Sequence, residues 1–163
     1  MQTIHTMPLD ARVWVYQSNR KLSDTEVTAI QKAGAAFIAE WAAHGASLKA
    51  SFDVLDNLFV VIGVDEQQAL ASGCSIDKSV RFIKELEQQL NLNFFDRLRI
   101  AYVDNNEIKT CGIATFEELA KSAKINHDTI VFNNMITTKA AFDSEWRVPA
   151  KNSWQKKYLE GIS

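Results

Sequence analysis

The sequence predicts an α+β fold in a single globular domain, with a ferredoxin-like βαββαβ core over about residues 12–103 and a C-terminal β/α extension over about residues 104–163. Two observations predict it. Hydrophobic periodicity sets out strand, helix, strand, strand, helix, strand in that order. The second strand also has one polar face while the third is apolar on both, so the second belongs at a sheet edge and the third inside.

Each element has a local cause. Residues 12–18 alternate Val13, Val15 and Gln17 with Trp14, Tyr16 and Ser18, a strand covered on both sides. Ser23-Asp24-Thr25-Glu26 is a capping box, with Leu22 and Val27 at the staple positions. Val27, Ile30, Gly34, Phe37, Ile38 and Trp41 continue at helical spacing, and Gly45 terminates a helix expected over residues 24–44. Residues 48–55 and 58–65 form a hairpin around Asp56-Asn57. A two-residue turn would set Val54 opposite Phe59 and Phe52 opposite Val61.

Ile76, Val80, Ile83, Leu86 and Leu90 mark a second helix over about residues 76–90, with Ser75 as its N-cap. A hairpin of residues 98–103 and 107–111 follows. Thr115-Phe116-Glu117-Glu118 is a second capping box opening a helix to about Ala123. Residues 129–132 read as a short strand and residues 138–146 as a helix. Beyond Val148-Pro149, a C-terminal segment carries Trp154 and Tyr158; Trp146 and Trp154 flank Pro149, and packing of this segment explains them more simply than a partner surface.

Composition narrows the function. The chain of 163 residues is 47% hydrophobic and 23% charged, a globular composition. Its net charge of -2 and lack of a basic run longer than Lys156-Lys157 argue against a nucleic-acid partner. No apolar run spans a bilayer, and residues 1–16 lack signal-peptide character. Cys74 and Cys111 suit a reducing compartment, so a cytoplasmic protein without membrane insertion is expected. His5, His44, His127 and the cysteines lack metal-ligand spacing, and no metal or cofactor is expected.

The densest chemistry lies in Ala71-Ser72-Gly73-Cys74-Ser75-Ile76-Asp77-Lys78-Ser79. Lys78-Ser79 matches the end of a P-loop, but Ser72 and Asp77 occupy the glycine positions that let backbone approach phosphates. ATP hydrolysis by a P-loop is therefore not supported. Ser75 and Lys78 match S-x-x-K without its companion motifs. Two readings remain. Gly73, Ser75, Lys78 and Ser79, with Asn133, could hold a small anion or a protein partner at the helix entrance. Alternatively, Cys74 is a nucleophile in acyl or thiol transfer, with His44 as base and Asn133 or Asn134 orienting it. The plainer reading makes Cys74 a small hydrophobe. A further alternative is a structural homodimer that buries an apolar strand face.

Residues 13–20, 48–52, 72–79 and 131–134 together resemble a small bacterial family whose members often carry the label "ABC transporter ATPase". The resemblance covers nearly the whole chain and implies no established activity. The label finds no P-loop and no L-S-G-G-Q-like signature in this sequence.

Overall fold

Apolar residues on both sides of Arg12–Gln17 make it strand β1, buried along most of its length. A computed structural model describes residues 3–161; residues 1, 2, 162 and 163, which the expected domain includes, lie outside the described part. Helix α1, Asp24–Glu40, opens on the capping box: Ser23 Oγ accepts the Glu26 N–H at 3.1 Å and Glu26 Oε1 accepts the Ser23 N–H at 2.9 Å. It ends earlier than its periodicity suggests. Trp41 is extended, and Ala42–Ala43 (β2) and Ala46–Ser47 (β3) form a miniature hairpin around His44 and Gly45, whose φ values are 51° and 79°. Small residues that pass for helix here carry a tight turn.

Strands β4, Lys49–Leu55, and β5, Phe59–Asp65, follow, then helix α2, Gly73–Leu90, closed by left-handed Asn91. The first sheet has the order β1-β5-β4, with β5 central and β4 at an edge. Its hairpin corrects the expected register. Leu55 pairs with Phe59, so Phe52 faces Ile62 and Val54 faces Val60. Asp56 and Asn57 make the left-handed turn, and Leu58 is one residue too many for the ladder, a bulge that shifts every later side chain to the other face. Leu58 and Phe59 consequently enter the same cluster.

Strand β6, Ile100–Asp104, does not join this sheet. It pairs with β7, Glu107–Cys111, and with β8, Ile130–Phe132, which in turn pairs with β9, Arg147–Pro149. The mixed α+β class holds, in two main sheets and a two-stranded ribbon. The strand that a ferredoxin-like core would place beside β1 lies in the second sheet. Helix α3, Ile113–Lys121, starts after Gly112 and not at the Thr115 box, and α4, Lys139–Glu145, is capped by Thr138 Oγ1 on the Ala141 N–H at 3.1 Å.

Three apolar clusters stack these elements into layers. Val60, Ile62 and Val64 of β5 meet Ile30 of α1 and Ile83 and Leu86 of α2. On the other face, Val13, Val15, Phe59 and Val61 meet Ala101, Phe132 and Trp146, so the two sheets lie face to face. Phe59 stands 4.8 Å from Phe132 and 5.0 Å from Trp146, ring centre to ring centre. Trp146 is thus buried and Trp154 half-buried, as packing of the C-terminal segment requires. The far face of the second sheet, through Ile100, Tyr102 and Val131, packs on Phe116 and Ala120 of α3 and on Leu159. No helix among the described residues is long and apolar enough to cross a membrane.

Candidate functional site

At the entrance of α2 the cap is Ser72, not Ser75: Ser72 Oγ accepts the Ser75 N–H at 3.2 Å. That shift of one turn decides what faces solvent. Gly73, Cys74 and Lys78 are exposed, whereas Ser75 and Ser79 turn into the core. Their hydroxyls are committed, Ser75 Oγ to the Ser72 carbonyl at 2.8 Å and Ser79 Oγ to the Ile76 carbonyl at 2.6 Å. Trp41 Nε1 donates to the Ser75 carbonyl at 2.8 Å and ties α2 to the end of α1. These two serines are seam residues and do not present hydroxyls to a ligand.

The other candidates form no hydrogen-bonded pair with one another among the described residues. His44 sits exposed in the β2–β3 turn, and no hydrogen bond joins it to Cys74 among the described residues. Asn133 follows β8, on the opposite side of the first sheet from α2. Its N–H donates to the Trp146 carbonyl at 2.6 Å and its Oδ1 accepts the Met135 N–H at 3.1 Å. Asn133 therefore shapes a turn. Among the described residues, no group of three or more His, Cys, Asp or Glu side chains could hold a metal ion.

A different site forms where β1 ends. Its foundation is a one-way chain of hydrogen bonds. An indole N–H only donates, so Trp146 Nε1, 2.9 Å from Asn134 Oδ1, fixes which end of Asn134 is oxygen. Asn134 Nδ2 must then donate to Gln17 Oε1, at 2.8 Å. That leaves the Gln17 amide nitrogen as the open end of the chain. Gln17 is only 7% exposed, and its Nε2 has no partner. Two N–H bonds at that depth cost about 1–3 kcal/mol while unmade.

Gln17 lines a crevice with Val15, Phe94, Asp96, Arg97, Arg99, Asn134, Met135 and Trp154. The loop before β6 supplies the charges. Arg99 is steadied by Thr110 Oγ1, which accepts from Nε at 3.2 Å and Nη2 at 3.0 Å, while Arg97 is exposed at the mouth. Asp96 spends one oxygen on the Leu98 N–H at 3.1 Å. Two guanidinium groups outweigh one carboxylate, so the crevice favours an anion. Their field reaches neighbouring groups: burial raises the Tyr16 phenol above its usual range and Arg97 opposes the rise. Cys111 behaves alike, raised by burial and opposed by Arg99. The crevice leaves about 30 Å³ for the centres of water-sized groups, room for a carboxylate but not a nucleotide.

A larger hollow of about 700 Å³ lies between Asp56-Asn57 and β7, lined by Lys21, Asp56, Glu107 and Lys109 among others. Its charges cancel, and Lys109 Nζ is already held by Asp104 at 2.7 Å. We therefore centre the site on Gln17.

The sequence offered faint signals for it. Gln17 shares the parity of the buried Val13 and Val15, and Arg97 and Arg99 stand two apart at the start of a strand. Nothing local announces that Asn134, 117 residues away, meets Gln17. No family model, characterised protein or solved structure matches the chain.

Proposed function

We propose that the protein is a binding module for a carboxylate or similarly small oxyanion, held in the crevice by Gln17, Arg97 and Arg99, and that it has no ATPase role. The observation that carries this reading is the unpartnered Gln17 Nε2, more than nine-tenths buried, at the donor end of a chain whose direction is set by Trp146. Buried donors require acceptors, and the arginines favour a charged one. Anion binding thus follows the expectation for the chain, at a different place. Lys78 and the exposed amides of α2 offer no comparable unmet group. The thiol-transfer alternative has less support, since no hydrogen bond joins Cys74 to a base among the described residues.

The kinship with ferredoxin-like folds belongs to the same proposal. The order β1-β5-β4 with α1 and α2 on one face fits the first five elements of that pattern. The crevice runs along the edge of β1 that a fourth strand would otherwise cover.

Calorimetric titration with N-acetylleucine and with its uncharged amide tests the reading. Saturable binding of the acid alone is expected. Gln17→Glu, which sets a carboxylate where the donor was, should weaken binding at least about tenfold, the worth of one charge-assisted hydrogen bond. Equal response to acid and amide, or none to either, would rule the reading out.

A further inference from the structure

We propose that the ligand of the crevice is the C-terminal segment of a peptide chain, which lies parallel to β1 along its open edge and sets its α-carboxylate against Gln17, Arg97 and Arg99. The inference rests on the carboxylate reading above. It starts from the backbone of β1. The Ser18 N–H turns towards the neighbouring hairpin, donating to the Leu58 carbonyl at 2.8 Å, while the Val13 N–H turns the other way, to the Thr137 carbonyl at 3.0 Å. Strand alternation then points the N–H and C=O of Val15, and the N–H of Gln17, to that outer edge. The edge is met at its start by Thr137 and Thr138 and just past its end by Asn93, whose carbonyl accepts the Asn19 N–H at 2.9 Å, and between them no hydrogen bond from another segment reaches Val15 among the described residues. Val15 is 6% exposed, so these are nearly buried groups beside a gap and not a solvated surface.

The gap is continuous with the crevice. A space of about 80 Å³ is lined by Val13, Val15, Arg97, Asn134, Met135 and Thr137, of which Val15, Arg97, Asn134 and Met135 also line the crevice. An extended peptide satisfies both parts at once. Its carboxylate takes the Gln17 side-chain amide, the Gln17 backbone N–H and the arginines. Its terminal N–H then donates to the Val15 carbonyl, and the carbonyl two residues earlier accepts from the Val15 N–H. Only the parallel direction puts the carboxylate at Gln17 and the preceding chain at Val15. Successive edge-facing groups of β1 are about 6.6 Å apart, two residues of rise, which matches this spacing. The Val13 N–H is already taken by Thr137, so the footprint closes after three residues.

Charge and surface agree with such an occupant. The guanidinium groups suit a carboxylate, and the lining includes exposed Met135, 67%, with Trp154 half-buried in the wall. An apolar terminal side chain fits that lining.

The test compares binding of acetylated alanyl-alanyl-leucine acid, its C-terminal amide, N-acetylleucine, and two N-methylated tripeptide acids. The tripeptide acid should bind about fivefold tighter than N-acetylleucine, the effect of the one added backbone hydrogen bond, from the Val15 N–H, and the amide should not bind. N-methylation of the terminal residue, whose N–H meets Val15, should cost several-fold. N-methylation of the middle residue, whose N–H points away, should cost nothing measurable. A tripeptide no tighter than N-acetylleucine, or equal loss from both methylations, would overturn the inference and leave the carboxylate reading standing. Failure of every acid to bind would overturn both and leave the crevice to water.

Discussion

Replacing Asn134 by leucine cuts the chain from Trp146 to Gln17 at its middle, and the structure sets how much that should cost. Asn134→Leu keeps the side-chain size but leaves Trp146 Nε1 without an acceptor and Gln17 Oε1 without a donor. Both residues are 7% exposed, so water replaces the lost partner poorly. At about 1–3 kcal/mol for each orphaned group, and with half-buried Asn134 admitting some solvent, the expected loss is about 3 kcal/mol. For a chain of this size that is a fall in Tm of about 6–12 °C. Gln17→Met should behave differently. It removes the acceptor of Asn134 Nδ2, which solvent can partly reach, but it also removes two N–H bonds that have no partner, so the net change should stay within about 1 kcal/mol. Urea unfolding followed by circular dichroism, with an unchanged m-value, measures both. If Gln17→Met costs as much as Asn134→Leu, the Gln17 amide is satisfied in the folded protein, and the reasoning about its open end is refuted.

Other consequences are independent of the crevice. A Cβ at Gly34 would stand 2.1 Å from the Phe52 ring, so Gly34→Ala should destabilise by about 1–3 kcal/mol despite its better helix propensity, and Phe52→Leu in the same chain should recover much of the loss in urea midpoint. The Arg20 guanidinium and the cap bonds to Ser23 hold the Glu26 carboxyl down at about 2, below its usual 4.5. A lowered carboxyl stabilises the fold above its unfolded value and loses that contribution as pH falls through about 2, so Glu26→Gln should flatten the drop in urea midpoint between pH of about 5 and about 2. Cys74 is exposed and Cys111 buried, so a thiol reagent should label one cysteine in the native protein and the second only on unfolding. Simultaneous labelling of both would contradict the placement of Cys111 between β7 and α3.

How much of this was legible depended on sequence distance. The Ser23 and Glu26 box is a four-residue matter and forms as read, and Asp56 and Asn57 take the positive φ that their residue types tolerate. The central place of β5 also followed from its two apolar faces. One bulged residue, Leu58, was enough to reverse the facing of the β4 side chains, because no local pattern separates a two-residue turn from a turn plus bulge. The end of α1 was hidden for another reason: Trp41 leaves the helix to reach the Ser75 carbonyl, a contact that small-residue composition does not betray. The same holds for the α2 entrance, where both Ser72 and Ser75 are good caps and packing of Ser75 decides between them. The site was least visible of all. It is assembled by β6 pairing with β8 instead of β1, by Arg97 and Arg99 on the loop before β6, and by an amide pair joining β1 to the segment after β8.

The most direct measurement is the nuclear magnetic resonance signal of the Gln17 side-chain amide in isotope-labelled protein, followed during titration with N-acetylleucine. The account expects these two protons to shift downfield, to saturate at the affinity found by calorimetry, and to stay unmoved when the uncharged amide is added. Saturation of the protein by the acid with the Gln17 amide signals unchanged would contradict it.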